Sequence, residues 1–275
     1  MSKLISLVIN ADTRSGFNKS ESSAEIMLEG CRSIDFLIEG IKNKQKFFSG
    51  FDIETILYID EHEPIPENVL NEIRSIVTTL VIKKHSKRYR DMVYCHNFND
   101  FHYLSALFMA NGEIVFHADQ DTACFTSNKE SVQEMISMLD EHKFVSYPSH
   151  WTPNAITDPS FEGRTWASTR FFFCKRETLK FDTIIQCILN PDWAYKTFGD
   201  SPRKMNWLEH FLTLTNDNSA YYPPINLDKL AVFSWSKYIT GTLGKLNAMN
   251  YGEVKNYIDR CGGICYPNDV QGREV

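Results

Sequence analysis

Strands and helices alternate four times within the first 147 residues, which predicts an α/β fold with a mostly parallel central sheet flanked by helices. Two further observations agree. Several strand segments are continuous apolar runs, the pattern of strands covered on both faces. At 275 residues the chain is long enough to bury a sizeable core without disulfide or metal staples.

Each element follows from its local pattern. Residues 4–10 (LISLVIN) form the first buried strand. Ser22 and Glu25 stand at capping-box spacing, and Met27, Cys31, Ile34, Leu37, Ile38 and Ile41 then make a helical stripe. Residues 53–59 (IETILYI) read as the second strand. Pro66 opens a helix that buries Val69, Leu70, Ile73 and Ile76. Residues 78–82 (TTLVI) make a third strand. A helix from about Phe98 buries Phe101, Leu104, Leu107 and Phe108 and stops at Asn111-Gly112. Residues 113–118 (EIVFHA) form the fourth strand and run straight into Asp119-Gln120-Asp121. A helix over 129–142, capped from Ser127 or Asn128, precedes a strand at 144–147.

Beyond Pro148 the pattern changes. Residues 148–166 are rich in turn formers and aromatics and read as an ordered loop. A strand at 167–174 (ASTRFFFC) carries a dense aromatic face, and helices follow at about 204–215 and 252–261. The organisation expected is one α/β domain over 1–215 with a C-terminal extension, 216–275, packed on it.

Charge and cysteine usage exclude several classes. Net charge is −6, which argues against a protein that coats polyanions broadly. The short apolar run near the N-terminus lacks the flanks of a signal peptide, and no stretch approaches the ~20 apolar residues of a transmembrane span. Seven scattered cysteines fit free thiols in a reducing compartment rather than a disulfide framework. A cytoplasmic protein is the expectation.

Chemistry concentrates at the strand ends. In open parallel sheets ligands sit at the carboxyl ends of the strands. Here those ends carry Asn10-Ala11-Asp12-Thr13-Arg14, Asp60-Glu61-His62, Lys83-Lys84-His85 and His117-Ala118-Asp119-Gln120-Asp121. If the chain stays extended, Asp119 and Asp121 share a side. Two such neighbouring carboxylates repel unless a cation lies beside them. A hard divalent ion, Mg²⁺ or Mn²⁺, suits them, with a diphosphate supplying further oxygens.

The run from Asn99-Asp100-Phe101 through Asn111-Gly112-Glu113 to Asp119-Gln120-Asp121 resembles the centre of the GT-A nucleotide-sugar glycosyltransferases, notably family 2. The strand ends at Asp12 and Asp60, and the segment from Phe172 to Glu177, match the same layout. The resemblance covers about residues 1–215 and implies a Rossmann-like GT-A fold. It implies that Asp121 binds the metal bridging the donor diphosphate, while Asp119 meets the ribose or, through water, the metal. Asp12 and Asp60 would bracket a uracil or another base, beside a pocket lined by Asn10 to Arg14. Inverting members carry a Glu-Asp pair at the start of a later helix, where a carboxylate deprotonates the acceptor. Glu209-His210 stands there instead, so either residue is a candidate general base. The resemblance also implies a metal-ligating histidine far downstream; none follows His210, so the third protein ligand is either missing or comes from elsewhere, for example His150.

The expected activity is therefore metal-dependent transfer of a hexosyl or pentosyl group from a nucleotide sugar, UDP-linked by expectation, to a hydroxyl. A glycan, lipopolysaccharide or lipid-linked acceptor is the ordinary expectation. Lys83, Lys84, Lys87, Arg88 and Arg90 make a basic loop that suits donor phosphates, and they also admit a modified DNA base as acceptor. Two alternatives stay open. A sugar nucleotidyltransferase would want a Gly-rich loop after strand 1, where residues 11–16 hold one glycine. A nucleotide- or glycan-binding protein of the same fold would lack turnover. Cys261 and Cys265 have no second ligand pair for zinc, and the Gly241–Lys245 run lacks the preceding strand of a phosphate loop.

Overall fold

A computed structural model describes residues 4–13, 34–61, 64–84, 99–120, 122–142, 144–148, 167–190, 219–221, 225–226, 230–234 and 243–260. The order begins β1 (Ile5–Asp12), α1 (Ile34–Phe47), β2 (Ile53–Glu61), α2 (Glu67–Ile76) and β3 (Thr79–Lys84). It continues with α3 (Asn99–Phe108), β4 (Ile114–Asp119), β5 (Thr122–Thr126), α4 (Lys129–Ser137) and β6 (Phe144–Pro148). Then come β7 (Ala167–Lys175), α5 (Phe181–Leu189), β8 (Ser219–Tyr221), β9 (Ile225–Asn226) and β10 (Leu230–Ser234). Helices α6 (Leu243–Ala248) and α7 (Tyr251–Arg260) close the described chain.

The α/β class with a mostly parallel sheet is the observed architecture. Seven strands lie in the order β3-β2-β1-β4-β7-β6-β8, and all six strands expected from the sequence are among them. β3, β2, β1 and β4 are mutually parallel, whereas β7 runs antiparallel to both β4 and β6. A second sheet, β5-β10-β9, is antiparallel. Chain beyond residue 215 thus enters both sheets, through β8 against β6 and β10 against β5.

β1 and β4 read as unbroken apolar runs because both of their faces are covered. On one face, Leu7, Ile9, Phe116 and Phe171 pack with Leu37, Ile41 and Phe48 of the α1 region. Phe116 sits at the middle of this layer, edge-on to Phe48 with ring centroids 4.5 Å apart. On the other face, Val8, Ile56, Val115 and Phe172 pack with Leu104 and Leu107 of α3 and Leu179 before α5.

Three strand ends moved outward and one helix end moved inward. β1 continues to Asp12, β2 to Glu61 and β3 to Lys84, because backbone pairing persists past the last apolar residue of each. α4 ends at Ser137, and Met138–Asp140 tightens into a 3₁₀ turn. Its cap is Asn128, whose side chain accepts from Ser131 N at 2.8 Å. Sequence reasoning missed α5, β5 and the strands of the C-terminal part. Of the expected 148–166 loop, Pro148 instead closes β6; its remainder, the capping box at Ser22 and Glu25, the 204–215 helix and the boundary at 215 lie outside the described residues.

Candidate functional site

Register alone assembles the rim. Asp12 of β1 lies beside Asp60 of β2, and Asp60 beside Lys83 of β3, so three ionisable residues form one row across the sheet. On the other flank of β1, Asn10 lies beside Asp119 of β4. Asn10, Asp12, Asp60, Lys83 and Asp119 therefore share the carboxyl rim of three neighbouring parallel pairs. Arg14, Asp121, His150, Glu209 and His210 lie outside the described residues.

The rim grades from enclosed to open. Asp60 is buried, Asp119 is half-buried and Lys83 is exposed. Next to the row, buried Glu61 accepts from Ile65 N at 3.4 Å, and exposed Lys84 reaches it with Nζ 3.5 Å from Oε2. The chain turns off β1 through Thr13, whose N–H donates to the Asp60 carbonyl at 3.1 Å. That bond carries the β1–β2 pairing one residue past the strand.

Asn10 is held from below. Its Nδ2 lies 3.0 Å from Nε2 of His117, a fully buried residue whose ring stacks on Phe172 at 5.0 Å. Nε2 therefore accepts, which places the imidazole proton on Nδ1. The other end of the amide differs. Asn10 Oδ1 is enclosed yet has no hydrogen-bond partner among the described residues. A buried acceptor of this kind costs free energy until a donor reaches it, so the rim fits a ligand bearing an N–H or O–H group, as a nucleotide base or ribose does.

The strand does not continue through Gln120. β4 ends at Asp119, Gln120 is a turn, and β5 starts at Thr122. Gln120 N–H donates to the Asn10 carbonyl at 3.0 Å, which ties the turn to β1. Among the described residues no three His, Cys, Asp or Glu side chains gather as a metal site. Asp119 contributes one hard oxygen donor group of the kind that Mg²⁺ and Mn²⁺ take.

Sequence reasoning missed Lys44, and it placed His117 at the end of strand 4 without giving it a role. Lys44 is fully buried and donates to the Gln120 carbonyl at 3.3 Å. Its signal was legible: residues 37, 41, 44 and 48 recur at helical spacing, which puts a lysine on the apolar stripe. The free thiols of Cys124 and Cys174 are buried, and burial pushes the Cys124 thiol up to about 12, so neither is poised as a nucleophile. A cavity of about 590 Å³ beside Gly112, Ile114, Lys175 and Phe181 opens at the opposite rim. It lies roughly 16 Å from Asp119 by strand rise, and neither Asp60 nor Asp119 lines it. No helix among the described residues is long and apolar enough to cross a membrane.

No protein-family model matches the chain, and no curated protein matches it by sequence. Solved structures do. The chain is similar to core-mannan synthase A from Aspergillus fumigatus in its Mn/GDP form, with 13% identity, 94% of this chain and 85% of that one covered, and a TM-score of 0.47. It is similar to an active-site mutant of LgtC at 10% identity, covering 78% of this chain and 72% of that one, with a TM-score of 0.46. A third similar structure is a mannosyltransferase from Pyrobaculum calidifontis in complex with GDP-Man and Mn²⁺, at 13% identity and a TM-score of 0.35, with 65% of this chain and 46% of that chain covered.

Proposed function

We propose that this chain is a cytoplasmic glycosyltransferase of the GT-A type that moves a sugar from a nucleotide-sugar donor to a hydroxyl acceptor. One observation carries the reading: register brings Asn10, Asp12, Asp60, Lys83 and Asp119 to one sheet rim, with the enclosed Asn10 Oδ1 among them. Such a rim suits a ligand with a hydrogen-bonding base at one end and a charged diphosphate at the other.

In this reading Asp12 and Asp60 hold the base and ribose, and Lys83 offers positive charge to the phosphates. Asp119 and Asp121 hold Mn²⁺ or Mg²⁺, whose role when bound is to neutralise charge on the departing nucleoside diphosphate. Glu209 or His210 takes the proton from the acceptor hydroxyl. The burial of Asp60 excludes water from one side of the base pocket and strengthens every hydrogen bond made there. UDP is the expected nucleotide and a glycan or lipid-linked saccharide the expected acceptor.

A thermal-shift panel of UDP-, GDP- and other nucleotide sugars, with and without Mn²⁺, tests the reading, because selective binding stabilises the native state. It expects one nucleotide class to raise Tm further with metal than without, together with slow release of free sugar. Release of pyrophosphate from a nucleoside triphosphate supplied with a sugar 1-phosphate, and no sugar release from the nucleotide sugars, would identify a nucleotidyltransferase. Tight binding with no sugar release would identify a binding protein. Added salt separates the acceptors, since DNA binding weakens steeply with salt and glycan binding does not.

A further inference from the structure

The chain turns at Gln120 between the two sheets, and α1 holds it with two adjacent side chains. Lys44, fully buried, donates from Nζ to the Gln120 carbonyl at 3.3 Å and to the Gly40 carbonyl of its own helix at 3.4 Å. Asn43, equally enclosed, accepts from Cys124 N–H at 2.7 Å through Oδ1. Its amide donates to Asn247 Oδ1 at 2.8 Å, and Asn247 in turn donates to the Glu39 carbonyl at 3.0 Å. Gln120 N–H is meanwhile fixed on the Asn10 carbonyl. The peptide groups on either side of the turn are thus pinned from β1, from α1 and, through Asn247, from α6.

A buried ammonium is expensive to desolvate, and an apolar residue of similar volume would serve packing at least as well. Its placement on the carbonyl between two acids gives it a purpose. We propose that Lys44 is a positioning residue for the divalent cation: it fixes the Gln120 peptide and so the strand end from which Asp119 would reach the ion. The inference rests on the metal-dependent reading above. It concerns the turn's shape and assigns Lys44 no contact with metal or donor.

The test compares wild type with Lys44→Met, which keeps the chain length and removes the donors. Mn²⁺ affinity is titrated by electron paramagnetic resonance in the presence of UDP, with GDP in a parallel arm. UDP and GDP affinity in EDTA and the melting temperature of the metal-free protein are read beside it. The expected result is a tenfold or greater loss of Mn²⁺ affinity, with metal-free nucleotide affinity within twofold of wild type. Mn²⁺ affinity within twofold of wild type would overturn the inference. So would a parallel fall in Mn²⁺ affinity, metal-free nucleotide affinity and melting temperature, because that marks a residue holding the fold in general. If Lys44→Met does not fold, Lys44→Gln, whose arm falls about one bond short of the carbonyl, is read against the same limits. A wild type that takes up no Mn²⁺ with either nucleotide would overturn the metal-dependent reading itself, which is a different outcome from an indifferent Lys44 variant.

Discussion

Asn10 and His117 meet across the β1–β4 pair, Nδ2 to Nε2 at 3.0 Å, with the histidine fully buried against Phe172. This contact ties a residue of the sheet interior to one of the rim. His117→Phe keeps the ring stack but strands the Asn10 amide, and should destabilise by about 1–3 kcal/mol. His117→Ala adds a cavity and should cost about 3–5 kcal/mol. Urea unfolding of both variants checks the pair; a Phe variant as stable as wild type would show that the hydrogen bond contributes nothing.

Gly112 is required by close approach. A β-carbon there would lie 2.6 Å from the Leu4 carbonyl oxygen and 2.8 Å from Ser6 N, both backbone atoms that cannot swing aside. Gly112→Ala should therefore push β1 away from the start of β4 and lower stability by about 1–3 kcal/mol. The drop should appear as a lower urea midpoint with an unchanged slope.

Glu54 makes stability depend on acid pH. Burial works to raise its pKa, but hydrogen bonds from Ser6 Oγ, from Asn111 N and Nδ2 and from Gly112 N outweigh that and hold it below the ordinary carboxylate value. A depressed folded-state pKa means that the unfolded chain binds the proton first. The stabilisation is full above the unfolded value near 4.5 and is lost as pH falls through the folded one. Glu54→Gln should cost about 1–3 kcal/mol at pH 7 and flatten the acid limb of the stability profile. An acid limb identical to wild type would contradict the role given to this carboxylate.

β1, β2 and β4 were readable because burial on both faces leaves an unmistakable apolar run. β5 was not, since Thr122–Thr126 is short and its partner β10 is more than a hundred residues away in sequence. α5 begins at Phe181 after an N-cap, Lys180, that makes no side-chain cap, so the usual start signal is missing. At the rim, Asp12, Asp60, Lys83 and Asp119 were readable as acids and bases following apolar runs. Lys44 was hidden by expectation: a lysine on a helix is taken for surface until its stripe is extended by one more turn. The contact of His117 with Asn10 was hidden, because only the pairing of β4 with β1 makes them neighbours.

The most direct measurement is donor turnover by Asp121→Ala and Asp119→Asn proteins, assayed with the best nucleotide sugar in Mn²⁺ and again in EDTA. The account predicts that wild-type turnover requires the metal and that Asp121→Ala loses at least a hundredfold, about 2.7 kcal/mol of transition-state stabilisation. Turnover by Asp121→Ala at the wild-type rate, unchanged by EDTA, would contradict it.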